Sequence, residues 1–327
     1  MDSSPSWAIR GSDPDTNNLR KDLVAAQTKA VHLPWRRSRR FRFDPWALIM
    51  VLPGLTLFAI FMLWPLVNVF ANSLFSWDGL GPKVFAGAQN YKQVFTSSQT
   101  YQTLEHTAIY AIGTGVAKVV LAFLIALLVA RRTRGVALFR SVIFIPVLMS
   151  FVAVGVLWTF ILDPNQGLLN ETLGTLGLPH TTPWLGQPGL ALFSVMAVDV
   201  WKWLGYHVVL FVAGLQAVRP ELYEAAKVDG AGRIALFFDV TVPSMRTIIG
   251  LNLIIAIAGG FNVFDLVYVM TKGGPDGSTD TVMTFMYRQA FNVQQYGFAS
   301  ALASVLFVVV AVVTLIQIRL LRSDYNA

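Results

Sequence analysis

A chain of 327 residues that is 55% hydrophobic and only 13% charged, with a mean hydropathy of +0.57, is too apolar for an ordinary soluble domain. It contains no cysteine, which excludes a disulfide framework, thiol catalysis and a Cys-based metal site. The net charge of +7 does not indicate nucleic acid, because the basic residues cluster beside apolar runs.

Residues 1–44 form a polar arm with nine Lys/Arg against five acids. Its first 29 residues, rich in Ser, Asp, Asn and Thr, read as disordered, and WRRSRRFRF (Trp35 to Phe43) directly precedes the first apolar run. That run, 46–70, is too long for a signal-peptide core of about 7–15 residues. A helix crossing a hydrocarbon layer of about 30 Å needs roughly 20 apolar residues. Six segments qualify: 46–70, 108–130, 138–162, 190–218, 248–270 and 299–321. Helices are the reading, since an unpaired backbone is costly in lipid and the alternation of a barrel is missing.

Positive charge orients the bundle. The amino-terminal arm is basic, the second link (RRTRGVALFR) carries Arg131, Arg132, Arg134 and Arg140, and the carboxy-terminal end carries Arg319 and Arg322. The third link, 163–188, has Asp163 and Glu171 and no Lys or Arg. All three basic regions fall on one side if there are six spans with both termini in the cytoplasm. The predicted organisation is thus an arm (1–44), a six-helix transmembrane domain (45–322) and a cytoplasmic tail (323–327).

The fourth link, 219–247, reads RPELYEAAKVDGAGRIALFFDVTVPSMRT. Pro220 suits the first turn of a helix, Asp229-Gly230 interrupts that helix, a second helical stretch spans 232–240, and Pro243 breaks or kinks the chain before the fifth span. Small Ala225 and Ala226 beside Glu224 would let a short helix enter a groove on a soluble partner. The residues by themselves equally allow an amphipathic helix lying on the membrane. The fifth link, TKGGPDGSTD, is a Gly-rich outer turn.

Inside the spans lie Lys118, Asp199, Lys202, His207 and Asp265, which are costly at membrane depth and face protein or water. Asp199 and Lys202, spaced i, i+3, can pair on one helix face. A proton relay through Asp199, His207 and Asp265 is an alternative to an internal ion pair. Trp201, Trp203, Tyr206, Phe261 and Asn262 supply the aromatic faces and polar groups that a sugar path needs. Four scattered His and no metal-like spacing give an enzyme no constellation, and no GxxxxGK[ST] phosphate loop is present.

EAA, followed by Gly230 and Val240-x-Val242-Pro243, resembles the EAA signature of binding-protein-dependent ABC importer permeases. The longer string EAAKVDGAGRIALFFDVTVP is similar to the carbohydrate-uptake (MalF/UgpA-like) branch, as are ALFRSVIFIPVLMSFVAVGVLW, VWKWLGYHVVLFVAGLQAV and FNVFDLVYVMTKGGPDGSTDT. The likeness spans about residues 43–322. Thr247 stands where the family often has a second Pro, and the first external link, 76–107, is short.

The resemblance implies an all-α, type I importer permease (MetI-like) fold in the bacterial inner membrane. It implies a path for a sugar or sugar-like solute, either a di- or oligosaccharide or a glycerol-3-phosphate-type compound. It assigns docking on the ATPase to Glu224, Ala225, Ala226, Asp229 and Gly230. By position it places solute contacts at Gly205, Val208, Gly260 and Val263, with Trp203, Tyr206, Phe261 and Asn262 nearby. The implied partners are a second homologous permease, two ABC ATPase copies using ATP and Mg, an extracytoplasmic solute-binding protein and membrane lipid, with no cofactor or metal on this chain, no catalytic residue and no nucleic acid. The alternative is a stand-alone secondary transporter driven by an ion gradient, for which the inverted repeats are missing.

Overall fold

The computed structural model describes the backbone of residues 45–130 and 135–323, and the side chains of 49–130 and 135–321. The expected basic arm (1–44), Arg131, Arg132 and Arg134 of the second link, and residues 324–327 lie outside the described residues. The chain divides into two compact units, 1–61 and 62–327.

The described part of the first unit is α1 (Pro45–Phe58) and the start of a π-helical turn, Ala59–Leu63. All its side chains from residue 49 to 61 are exposed, and nearly all are apolar, as a helix surrounded by lipid requires. Thr56 Oγ1 donates to the Leu52 carbonyl at 2.8 Å, so the one hydroxyl there is satisfied within the helix.

The second unit opens with α2 (Trp64–Asn72), a short antiparallel pair β1 (Phe75–Ser76) and β2 (Val84–Phe85) with Phe75 opposite Phe85, and α3 (Gln89–Thr96). Ser97 caps α4 (Ser98–Val129) by accepting from the Thr100 N–H. Then come α5 (Val136–Leu148), α6 (Phe151–Ile161) and α7 (Leu168–Thr175). Next are α8 (Leu190–Ala217), α9 (Pro220–Val228), α10 (Arg233–Ala235), a π-helical segment (Leu236–Thr241) and α11 (Val242–Phe261). Last are α12 (Asp265–Met270), α13 (Val282–Tyr287), a π turn (Arg288–Asn292) and α14 (Tyr296–Ser323).

Among the described residues, five stretches are long and apolar enough to cross a membrane: Ile49–Asn72, Ser98–Val129, Leu190–Ala217, Arg233–Phe261 and Tyr296–Leu321. The bent pair α5–α6 makes six. α8 is the central helix, with 56% of its apolar window buried. It packs most extensively on α4, and α4 in turn on α11. Val119, Ala122 and Ala126 of α4 meet Val208, Phe211 and Val212 of α8 and Ala256 of α11 in one core. Tyr110, Val154, Val195, Val198 and Leu266 form a second.

The spans depart from the sequence reading in three places. The expected straight span 138–162 is broken by a 100° bend between α5 and α6. Pro146 lacks the N–H that would continue the ladder, Met149 is extended, and Ser150 restarts the helix by accepting from the Ala153 N–H at 3.2 Å. The expected span 248–270 instead begins near Arg233 and ends at Phe261. Phe264 then takes a non-helical conformation and α12 follows as a separate short helix. Pro243 does not break the chain. It stands in the first turn of α11, behind a π segment whose bonds reach one residue further back, as Val242 N to Phe237 O shows. That register absorbs the missing donor.

Candidate functional site

The bend, α8 and the end of α11 enclose a cavity of about 390 Å³ at membrane depth. On α8, Asp199, Trp203, Tyr206 and His207 recur at spacings of three and four, so one helix face presents all of them. On α11, Ile255, Ala256 and Gly259 do the same, and Asn262, Val263, Phe264 and Asp265, at and beyond the end of α11, also line it. Phe151, the first residue of α6, completes the wall, with its ring 6.0 Å from Trp203, whose own ring is 5.7 Å from Tyr206.

Three polar interactions hold this wall. Lys118 Nζ of α4 donates to Asp199 Oδ2 at 2.5 Å, and both side chains are about 5% exposed or less. Lys202 does not pair with Asp199, as the i, i+3 spacing suggested. Its ammonium donates to the carbonyls of Pro146 (3.3 Å), Val147 (3.4 Å) and Met149 (2.8 Å) where α5 ends at the bend; the Pro146 carbonyl also accepts from the Met149 N–H at 3.3 Å. The same ammonium lies 4.6 Å from the Phe151 ring centre and 5.2 Å from that of Trp203, within cation–π range. His207 Nδ1 donates to Asn252 Oδ1 at 2.8 Å. The internal ion pair is therefore present, between partners 81 residues apart. Asp265 lies exposed at the rim of the same cavity.

Of the residues expected on a solute path, Trp203, Tyr206, Asn262 and Val263 line the cavity. Gly205, Val208, Gly260 and Phe261 are buried in packing instead. A Cβ on Gly205 would overlap the Ile143 carbonyl, and one on Gly260 would come 2.5 Å from Ala111 Cα. Both glycines thus allow close approach of backbones, the usual use of small residues between membrane helices. Gly205→Ala is expected to lower stability by about 1–3 kcal/mol through overpacking. Gly259→Ala, where a Cβ meets nothing within 4 Å, should be neutral; thermal unfolding in detergent compares the two. Sequence reasoning missed Phe151 and Phe264, whose only signal was an aromatic residue beside a helix break.

The segment expected to dock on the ATPase follows the carboxy-terminal end of α8. α9 starts at Pro220 and ends in a Schellman closure: Ala231 N bonds Ala226 O at 2.9 Å and Gly230 N bonds Lys227 O at 3.0 Å. Gly230 has φ of +83°, which favours a residue without Cβ. Glu224, Ala225, Asp229 and Gly230 are exposed and Ala226 is half-buried. Tyr223 reaches Thr241 Oγ1 at 3.2 Å, tying α9 to the base of the following span. Leu222 and Val228 are exposed at 44% and 88%, leaving apolar surface for a partner.

Between α12 and α13, Asp280 is buried and accepts from Arg288 (2.5 Å) and Thr284 (3.1 Å). Burial pushes its carboxyl above the usual range, against the pull of Arg288 and Thr284.

The profile of the family described as "Binding-protein-dependent transport system inner membrane component" matches residues 118–324. The chain belongs to this family. This permease is 34% identical over 271 residues to the probable ABC transporter permease protein YurN of Bacillus subtilis, a match covering 81% of this chain and 93% of that one. It is 34% identical over 295 residues to the diacetylchitobiose uptake system permease protein NgcF of Streptomyces coelicolor, covering 86% and 82%. Its fold matches a chain of a bacterial alginate ABC transporter crystallised with an alginate pentasaccharide-bound periplasmic protein, with a TM-score of 0.73 at 23% identity over 83% of this chain and 92% of that one. The permease is therefore a multi-pass inner-membrane component of an ABC importer that works with a solute-binding protein, not a stand-alone secondary transporter.

Proposed function

We propose that this permease forms half of the path by which a sugar or sugar-like solute enters the cell. A second homologous permease supplies the other half. Two copies of a separate ATPase, binding ATP and Mg, dock on the Glu224–Gly230 segment and its counterpart. Both termini then lie in the cytoplasm, and α9 faces the same side.

The observation that carries the reading is the cavity at the bend of α5 and α6. It combines aromatic faces from Phe151, Trp203, Tyr206 and Phe264 with polar groups of Asn262 and Asp265. Sugar rings present apolar C–H faces and a rim of hydroxyls, so aromatic walls with few polar groups match them. The similarity to a diacetylchitobiose permease supports the same solute class. For coupling, the support is the exposed, Schellman-closed α9, rigid enough to transmit a push into α11 through Tyr223 and Thr241.

ATP-driven closure of the ATPases draws the two α9 helices together and turns the cavity outward; hydrolysis resets it. The test is a Glu224→Lys, Gly230→Asp double variant in the assembled importer. Both positions are exposed, so the bundle should survive, with the strain at the positive φ of Gly230 confined to the end of α9. Sugar uptake into proteoliposomes should fall at least about tenfold, the effect of losing ~1.4 kcal/mol at the docking face. Uptake at the parental rate would overturn the assignment.

A further inference from the structure

We infer that this chain's half of the path admits uncharged polyhydroxylated solutes and rejects anionic ones such as sugar phosphates and uronates. The inference rests on the cavity being part of the solute path, and it turns on which charges in that cavity are free. Among the described residues that line it, Lys118 is the only Lys or Arg. Its ammonium is held 2.5 Å from Asp199, and 3% exposure leaves it out of reach of a solute. Lys202, nearly one turn further along α8, is 2% exposed and bonded to three backbone carbonyls. His207 has its Nδ1 engaged by Asn252. The two ammonium groups near the cavity, Lys118 and Lys202, are therefore engaged by protein acceptors, and releasing either would leave a buried group unpaired.

The free charge has the opposite sign. Asp265 is exposed on the cavity rim and has no ion-pair partner among the described residues. An entering phosphate or carboxylate would meet this carboxylate without a compensating cation, in surroundings where charges act more strongly than in water. A neutral sugar meets no such penalty. Its hydroxyls can donate to Asp265 and reach the Asn262 amide, and its C–H faces can lie on the aromatic wall. A glycerol-3-phosphate-type solute is thereby disfavoured against a neutral di- or oligosaccharide.

The test is equilibrium binding to the purified, fully assembled importer without its binding protein, so that the membrane part alone selects. The probes are matched neutral and anionic pairs: trehalose with trehalose 6-phosphate, and maltose with maltobionate. The neutral member should bind at least about tenfold tighter. Asp265→Asn should shrink that ratio, and Asp265→Lys should bring it to one or reverse it, with thermal unfolding confirming that each variant is folded. Equal or tighter binding of the anionic members overturns the inference and leaves the sugar path standing. So does a ratio unmoved in both folded variants. Failure of every probe to bind overturns the sugar path itself, and the inference with it.

Discussion

Lys118→Met lowers the stability of the permease by about 3–5 kcal/mol, the usual consequence of leaving one member of a buried ion pair alone. Asp199 is 4% exposed, and Lys118 is its only cationic partner within bonding distance among the described residues. Without that ammonium its carboxylate would stay charged and unpaired in the bundle or take up a proton; either state raises the free energy of the folded form. The pair joins α4 to α8, the two most extensively packed helices, so the loss reaches the whole core. Lys118→Met with Asp199→Leu should recover most of it, because an apolar pair of similar volume removes both desolvation costs. Thermal unfolding of the purified protein in detergent measures all three states. If the double variant is no more stable than Lys118→Met, the interaction between the two groups is not the source of the effect.

The second large effect is expected at Lys202. Its ammonium donates to the carbonyls of Pro146, Val147 and Met149; the Pro146 carbonyl keeps the Met149 N–H, while the other two each cost about 1–3 kcal/mol if buried without a donor. Lys202→Met keeps the length and apolar stem of the side chain but removes every donor. The expected outcome is a loss of about 3 kcal/mol, together with loosening at the bend. Lys202→Arg should rescue only in part, since a planar fork cannot converge on three carbonyls as a compact ammonium does. Because Phe151 and Trp203 flank the same ammonium, the variant should also change the cavity wall. Tryptophan fluorescence at Trp203, in a background without the other tryptophans, reads that change. A spectrum and a melting temperature both unaltered by Lys202→Met would show that the bend holds without its cap.

Much of the molecule was legible in its residues because the rules involved are local. A run of about 20 apolar residues must be helical in lipid, whatever surrounds it, since each backbone group has to be paired within the segment. Six such runs gave the number of apolar stretches, though the third is bent by 100° and the fifth runs from Arg233 to Phe261. The end of α9 was equally local: Gly230 adopts φ of +83° because the Asp-Gly step after a helix makes that turn inexpensive.

Partnership was another matter. Asp199 has Lys202 three residues away on its own helix, yet it pairs with Lys118 on α4, because α8 is turned so that Lys202 faces the bend and Asp199 faces α4. The bend depended on Pro146, which many membrane helices tolerate, and on a lysine 56 residues away that caps it. The rotation of α8 also divided the expected solute contacts, sending Trp203 and Tyr206 to the cavity and Gly205 and Val208 into packing. The sequence determined that the chain crosses the membrane and presents a Gly-closed helix at one face. Which side chains meet within the bundle was decided only by tertiary packing, because the polar and aromatic residues of α8 mark a face without naming the helix that face meets, and the rest of its circumference is apolar.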